Sequence, residues 1–194
     1  MMSGQNSSII EKVAFRRTAS AVPGCTLPFS GSAVRIFQGY NGPYSHFAVR
    51  RGAVEDGRIY DYSFSLDFAL PFGTPVRAVL DGIVIGAFAR FCYSYKGTDL
   101  TTGLTTFSNL IVIEHAKNLF SVYSHIAHNG LAVELESMVK KGDVIAITGD
   151  VGWIGPEPHL HFALYEEGKN GFGRLTNPAL FDEYSGALEH SEII

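Results

Sequence analysis

Charge and sulfur are both scarce in this sequence. Charged residues make up 18% of its 194 positions, with 15 Lys and Arg against 19 Asp and Glu, for a formal net charge of −4. That balance argues against a general nucleic-acid binder, which needs a basic face to neutralise phosphates. No apolar run approaches the roughly 18 residues of a membrane-spanning helix. The opening stretch, MMSGQNSSIIEKVAFRRTAS, lacks the apolar block of about 7–15 residues that marks a signal peptide. On that reading the protein either stays inside the cell or has lost a leader. There are only two cysteines, Cys25 and Cys92. They could bridge in an oxidising compartment or serve as small buried residues, so they leave the compartment open. No repeat, no low-complexity segment and no sustained helical period is present.

What the chain does have is branched and aromatic residues punctuated by Gly, Pro, Asn and Asp. At 46% hydrophobic it is long enough for one domain with its own core. Residues 1–27 read as a polar arm or lead-in, and residues 28–194 as a single domain. Strands are expected near 33–38, 45–51, 58–68, 75–90, 108–115, 119–126, 143–148 and 159–165, as in IVIGAFARF and NLIVIEH. Asp81-Gly82 marks a bend inside the fourth of these. NPALFDEY, near the C-terminus, is the best helical candidate. The expected class is mainly β, a sandwich or a partly open barrel.

EPHLHFAL sets His159 and His161 two apart at the head of an apolar run. In a strand they face the same side, where imidazole nitrogens suit zinc. A satisfied, metal-free pair is the other reading. His125, in SVYSHIA, ends a strand. Asp67, in SLDFALPFGTPV, is a charge in an apolar run, which needs a partner or a metal unless it caps a turn.

Together these segments resemble the lysostaphin-type zinc metallo-endopeptidases that cut peptidoglycan cross-links. LDFALPFGTPVRAVLDGIVIGA is similar to that family's Asp-bearing strand and its Gly-Thr-Pro-Val turn. SNLIVIEHAKNLFSVYSHIA is similar to its central hairpin ending in Tyr-x-His. VKKGDVIAITGDVGWIGPEPHLHFAL is similar to its Gly-rich loop and His-x-His strand, and RLTNPALF to its closing Asn-Pro. The likeness runs from about residue 28 to 182, most of the chain. It implies a β-rich groove with Zn2+ on its floor, metal ligands at Asp67 and His161, and His159 and His125 as the catalytic pair. It further implies a peptidoglycan peptide substrate and an extracytoplasmic location; a monomer is expected.

The family's first histidine, four residues before this aspartate, is here Ser63, a poor zinc ligand. Either the site is silent and the protein binds wall peptide or regulates another hydrolase, or another histidine fills the place. QGYNGPYSH resembles a variant of the family with an upstream Ser-His, which would make His46 the third metal ligand. An Asp56-Gly57 hairpin turn would set His46 directly opposite Asp67, given perfect register. A β-sandwich module for a sugar or small ligand is a third reading, and it predicts no metal. His115 reads as structural, His128 as a solvated turn residue and His190 as part of a polar tail. Trp153 stands on the loop before the His-x-His strand and either floors a groove or packs the loop.

Overall fold

A computed structural model describes residues 19–31, 33–46, 49–51, 58–97, 107–155, 157–169, 172–189 and 192–194. No helix occurs among them, and the strands are short. In chain order they are β1 (Val22–Cys25), β2 (Ile36–Gln38), β3 (Val49–Arg51), β4 (Ile59–Asp61), β5 (Leu66–Phe68), β6 (Pro75–Arg77), β7 (Gly82–Phe88), β8 (Ser94–Tyr95) and β9 (Leu110–Ala116). There follow β10 (Leu119–Ser124), β11 (Ile126–Leu131), β12 (Met138–Val139), β13 (Val144–Thr148), β14 (Gly152–Trp153), β15 (Leu160–Glu167), β16 (Phe172–Asn177) and β17 (Ala179–Phe181).

The main sheet runs β12-β7-β9-β10-β15-β16-β4-β3, with β5 added beside β15 and β2 beside β5. A three-stranded sheet, β11-β13-β6, packs with it, and two small pairs, β1-β17 and β14-β8, complete the partly open β architecture. The β9–β10 turn shows the local logic. Asn118 takes a φ of 62° there, a conformation that asparagine tolerates better than most residues.

β15 divides the molecule into a core side and a site side. Leu160, Phe162 and Leu164 are almost wholly buried and join Leu66, Phe68, Ile111, Ile113 and Tyr123 in the main core. The period of two then sends His161, Ala163 and Tyr165 to the opposite face.

Four sequence expectations need correction. NPALFDEY is not helical. Ala179 and Phe181 are buried while Leu180 is exposed, a period of two, and β17 pairs in parallel with β1. The described end of the lead-in is therefore held in the fold: Pro178 O accepts the Val22 N–H at 2.8 Å, and Cys25 and Leu27 lie in the core. The expected strand 58–68 breaks at Tyr62–Ser65. Asp61 Oδ1 accepts the Ser63 N–H at 2.9 Å, and Tyr62 O accepts the Ser65 N–H at 3.0 Å, so a side-chain turn outcompetes the ladder. As a result β4 pairs with β3 and β16, while β5 goes between β2 and β15. The β3–β4 pairs are Val49 with Asp61, Arg50 with Tyr60 and Arg51 with Ile59, three residues away from the register that would oppose His46 to Asp67. Asp56 and Gly57 lie outside the described residues. Finally, His128 stands on β11 rather than in a turn, exposed, with Nδ1 3.2 Å from Phe91 O.

Both cysteines are free thiols, Cys25 buried and Cys92 exposed. Burial pushes the Cys25 thiol up to about 11.

Candidate metal centre

Sheet register lays four polar residues in one row. Gln38 on β2 pairs with Asp67 on β5, Asp67 with His161 on β15, and His161 with Ser124 on β10. Cross-strand partners share a face. Because Leu66, Phe68, Leu160 and Phe162 occupy the core face, Asp67 and His161 are committed to the other. His161 Nδ1 is 2.8 Å from Asp67 Oδ1, and Gln38 Nε2 donates to Asp67 Oδ2 at 2.8 Å.

His46 reaches the same carboxylate from a turn rather than a strand. Gln38, 1% exposed, is the clamp. Its Oε1 accepts the backbone N–H groups of Tyr44, Ser45 and His46 at 2.8, 2.6 and 3.2 Å, and its Nε2 also donates to Ser45 Oγ at 2.9 Å. The turn's base is pressed against the C-terminal segment. Tyr40 N–H donates to Leu188 O at 2.8 Å, and a Cβ on Gly39 would stand 2.2 Å from that same oxygen, so only glycine fits. Ser63 serves the turn through its backbone, accepting the Asn41 N–H at 2.8 Å. His46 Nδ1 lies 3.3 Å from Gly39 O, which sets the proton there and leaves Nε2 as a lone pair. That Nε2 is 3.5 Å from Asp67 Oδ1, beyond good hydrogen-bond length, and is a buried nitrogen with no hydrogen-bond partner.

His125 and His159 adjoin the row, with ring centroids 4.6 Å apart. Each holds Nδ1 on a backbone carbonyl, His125 on Val151 O at 2.8 Å and His159 on Glu157 O at 3.0 Å. Their Nε2 atoms are thereby left for the cleft, and that of His159 lies 3.9 Å from Asp67 Oδ1. Arg35 pairs with Glu157 and braces the loop ahead of β15. His125 sits at a φ of 66°, a conformation that costs about 1–3 kcal/mol unless its surroundings hold it. Ser108 Oγ accepts the His125 N–H at 3.1 Å. The fully buried Asn109 ties Ile126 O and both backbone polar groups of Phe91 at 3.0 Å.

The electrostatics follow from burial. Desolvation alone would raise Asp67, but His46 and His159 beside it, with hydrogen bonding from His161, hold its carboxyl well below the usual range. Desolvation, then the neighbouring His159, pushes His125 down to about 3, so it is a neutral base at neutral pH. His46, Asp67 and His161 offer ligand atoms that all lie within 4.8 Å of one another. Two imidazoles, one ionised carboxylate and an orphaned buried nitrogen fit a zinc-like dication. The cluster opens into a cleft of about 500 Å³, also lined by Phe37, Tyr44, Tyr62, Lys96 and Trp153. Trp153 Nε1 donates to Gly97 O at 3.0 Å, so this ring both packs its loop and lines the cleft. A larger hollow of about 800 Å³, between Tyr40–Pro43 and Ala179–Glu189, has no imidazole among the described residues that line it.

His115 is apart from the cluster, bonded to Asp81 O and Ser121 Oγ at 2.8 Å each. His190 lies outside the described residues. Sequence reading missed Gln38, Ser108 and Asn109; a polar residue at the end of the apolar run RIF was the available signal for the first.

Comparison with known proteins places this arrangement. The chain is 33% identical over 97 residues to the DD-carboxypeptidase/endopeptidase Mpg of Neisseria meningitidis serogroup B, covering 50% of this chain and 18% of that protein. It is 29% identical over 135 residues to the peptidoglycan DD-endopeptidase ShyA of Vibrio cholerae, covering 70% of this chain and 26% of ShyA. The chain thus spans about a quarter or less of these relatives' length. Its fold is similar to that of a zinc-containing peptidase from Vibrio cholerae, with a TM-score of 0.50 and 27% identity over 79% of this chain and 39% of that one. Residues 61–171 match the profile of peptidase family M23, a span that holds Asp67, His125, His159 and His161 and begins after His46. With more than half of its length matched, the chain belongs to peptidase family M23.

Proposed function

We propose that the protein is a zinc-dependent endopeptidase that hydrolyses peptide cross-links of bacterial peptidoglycan, acting outside the cytoplasm. His46, Asp67 and His161 would hold the metal. The observation that carries this reading is the buried, unpartnered Nε2 of His46 beside the carboxylate of Asp67. A lone pair kept from both water and protein is costly without a ligand.

Bound zinc supplies a Lewis acid that polarises a carbonyl and lowers the pKa of water toward about 7. The chain's own residues do the rest. His125, a neutral base, and His159 both anchor Nδ1 on carbonyl oxygens, so Nε2 is the ring nitrogen that faces the cleft and can accept the attacking water's proton. Once protonated, either ring places positive charge where the carbonyl oxygen becomes negative. The strained corner at His125, held by Ser108 and Asn109, fixes that ring before substrate arrives. Gln38 holds His46 and Asp67 in mutual range. The choice of wall peptide as substrate draws on the names of the relatives, DD-endopeptidases among them.

The test is metal analysis of the purified protein together with release of peptides from isolated cell walls. One zinc per chain, cleavage lost on chelation and restored by zinc is the expected result. Cleavage indifferent to chelation would overturn the reading. Ser63, in the family's usual histidine position, favours the rival reading of a silent wall-peptide binder. That reading predicts no cleavage of wall from any source.

A further inference from the structure

β2 carries the clamp on which the turn ligand depends, and both of its edges are occupied. One edge meets β5 in a short, irregular pairing, with a register shift between Ile36 and Gln38. A three-residue strand with one such neighbour is weakly held. Along the other edge runs the C-terminal segment. Val34 N–H donates to Ile194 O and Ile194 N–H to Val34 O, each at 2.9 Å. Ile36 N–H donates to Glu192 O at 2.7 Å and Tyr40 N–H to Leu188 O at 2.8 Å, and Arg35 forms an antiparallel bridge with Ile193. The register is the same at each of these points, so Leu188–Glu189 and Glu192–Ile194 lie along β2 as one antiparallel strap. Few side chains fasten it. Leu188 is buried in the main core, Ile194 packs against that core, and Tyr184 Oη donates to the Glu192 carboxylate, while Ile193 faces solvent. Between the strap's contacts at Ile36 and Tyr40 stand the two groups that orient His46: the Gln38 amide, which holds the turn and Asp67, and Gly39 O, which faces His46 Nδ1.

We propose that this C-terminal strap is a positioning element for the metal centre: docked on β2, it keeps Gln38 and Gly39 where they hold His46 within ligand range of Asp67. Undocking frees β2 on that edge and releases the turn ligand, while Asp67 and His161 keep their ladder. Leu188 and Ile194 are thus positioning residues, far from any reacting atom. The coupling is reciprocal by necessity, so a metal that binds better to the docked form must also tighten the strap, and by the same factor. The inference rests on the zinc reading of the His46, Asp67 and His161 cluster.

The test is amide hydrogen exchange on the full chain, with and without saturating zinc. The Val34, Ile36 and Tyr40 amides, which the strap covers, are expected to exchange about 5–150-fold more slowly with zinc, the ordinary range of coupling between sites. Ala132 and Gly142, bonded to Ile145 O and Ala78 O away from the site, should slow by less. Leu188→Ala, which removes the strap's core anchor, should weaken zinc binding at least about fivefold in a chelator competition, a readout that a merely structural residue of a folded chain would not move. In the metal-free variant the Tyr44, Ser45 and His46 amides, held by Gln38, should exchange faster while those of β15 keep their rates. Equal slowing of strap-covered and remote amides by zinc, or a folded Leu188→Ala protein with the parent's zinc affinity, would overturn the proposal. If Leu188→Ala fails to fold, the zinc dependence of exchange in the parent decides alone. A full chain that takes up no zinc loses the metal reading and the coupling with it, whereas a zinc-loaded chain whose strap does not respond loses the strap alone.

Discussion

Asp67 and His161 belong to one kind of structure and His46 to another. The first two are cross-strand partners, fixed by the β5–β15 ladder and by core residues on either side of each. Their positions are consequences of register, and a one-residue slip would turn both into the core. His46 sits on a turn whose link to the site is chiefly one side chain, the Gln38 amide, with a brace from Ser63 and Leu188. The same metal centre is thus built half from a ladder backed by many residues and half from a clamp that a single substitution removes. Ladder ligands are expected to fail only with the fold. The turn ligand is expected to fail alone.

His46→Ala should break the comparison most sharply. It is expected to abolish zinc binding and cleavage while the far-ultraviolet circular dichroism stays that of the parent, checked by metal analysis of the folded variant. His125→Ala should retain zinc and lose about 10²–10⁴-fold in kcat, the usual contribution of a general base, as measured on wall peptides. Gln38→Ala should weaken zinc binding by about 10–100-fold, the scale seen for groups that orient ligands, in a competition titration with a chelator. Asp67 is held by the β5–β15 ladder as well as by Gln38, so the loss should fall on His46's contribution.

A pH series on metal-free protein sharpens the electrostatic half. His125 is held near 3 in the fold against an ordinary 6.5, so between those values the unfolded chain binds more protons. Stability therefore falls as pH drops through that window. The part due to His125 is on the order of 2 kcal/mol by about pH 5, and His125→Gln should flatten the slope in thermal melts. Asp67 acts lower. Its depressed carboxyl stabilises the fold above its ordinary 3.8 and is lost further into acid. The smallest effect is Ser63→Ala, expected to leave zinc affinity unchanged, since Ser63 serves the site through its backbone carbonyl.

The ladder half is legible in the amino-acid order alone. The period of two in HLHF sets His159 and His161 on one face, and SLDFAL marks a strand with a charge turned away from its apolar neighbours. The turn half is legible only in its outcome. Asp56-Gly57 suggests a hairpin bringing His46 onto Asp67, yet the described β3–β4 register differs by three residues and β5 pairs with β2 instead. The two residues meet through Gln38, by a route no local signal predicts. Clamps of this kind depend on which loop comes back to which strand, and a lone glutamine after RIF does not carry that. Asn109 is hidden for the same reason. The C-terminal segment reads as a helix because NPALFDEY has helix formers, while burial of Ala179 and Phe181 against β1 decides for a strand.

X-ray absorption and anomalous scattering at the zinc edge, on crystals of the zinc-loaded protein, test the central claim most directly. A single ion bound by His46 Nε2, an oxygen of Asp67 and His161 Nδ1 is the predicted result. Zinc bound with His46 outside the coordination sphere, or no zinc at Asp67 and His161 in a folded protein, would contradict it.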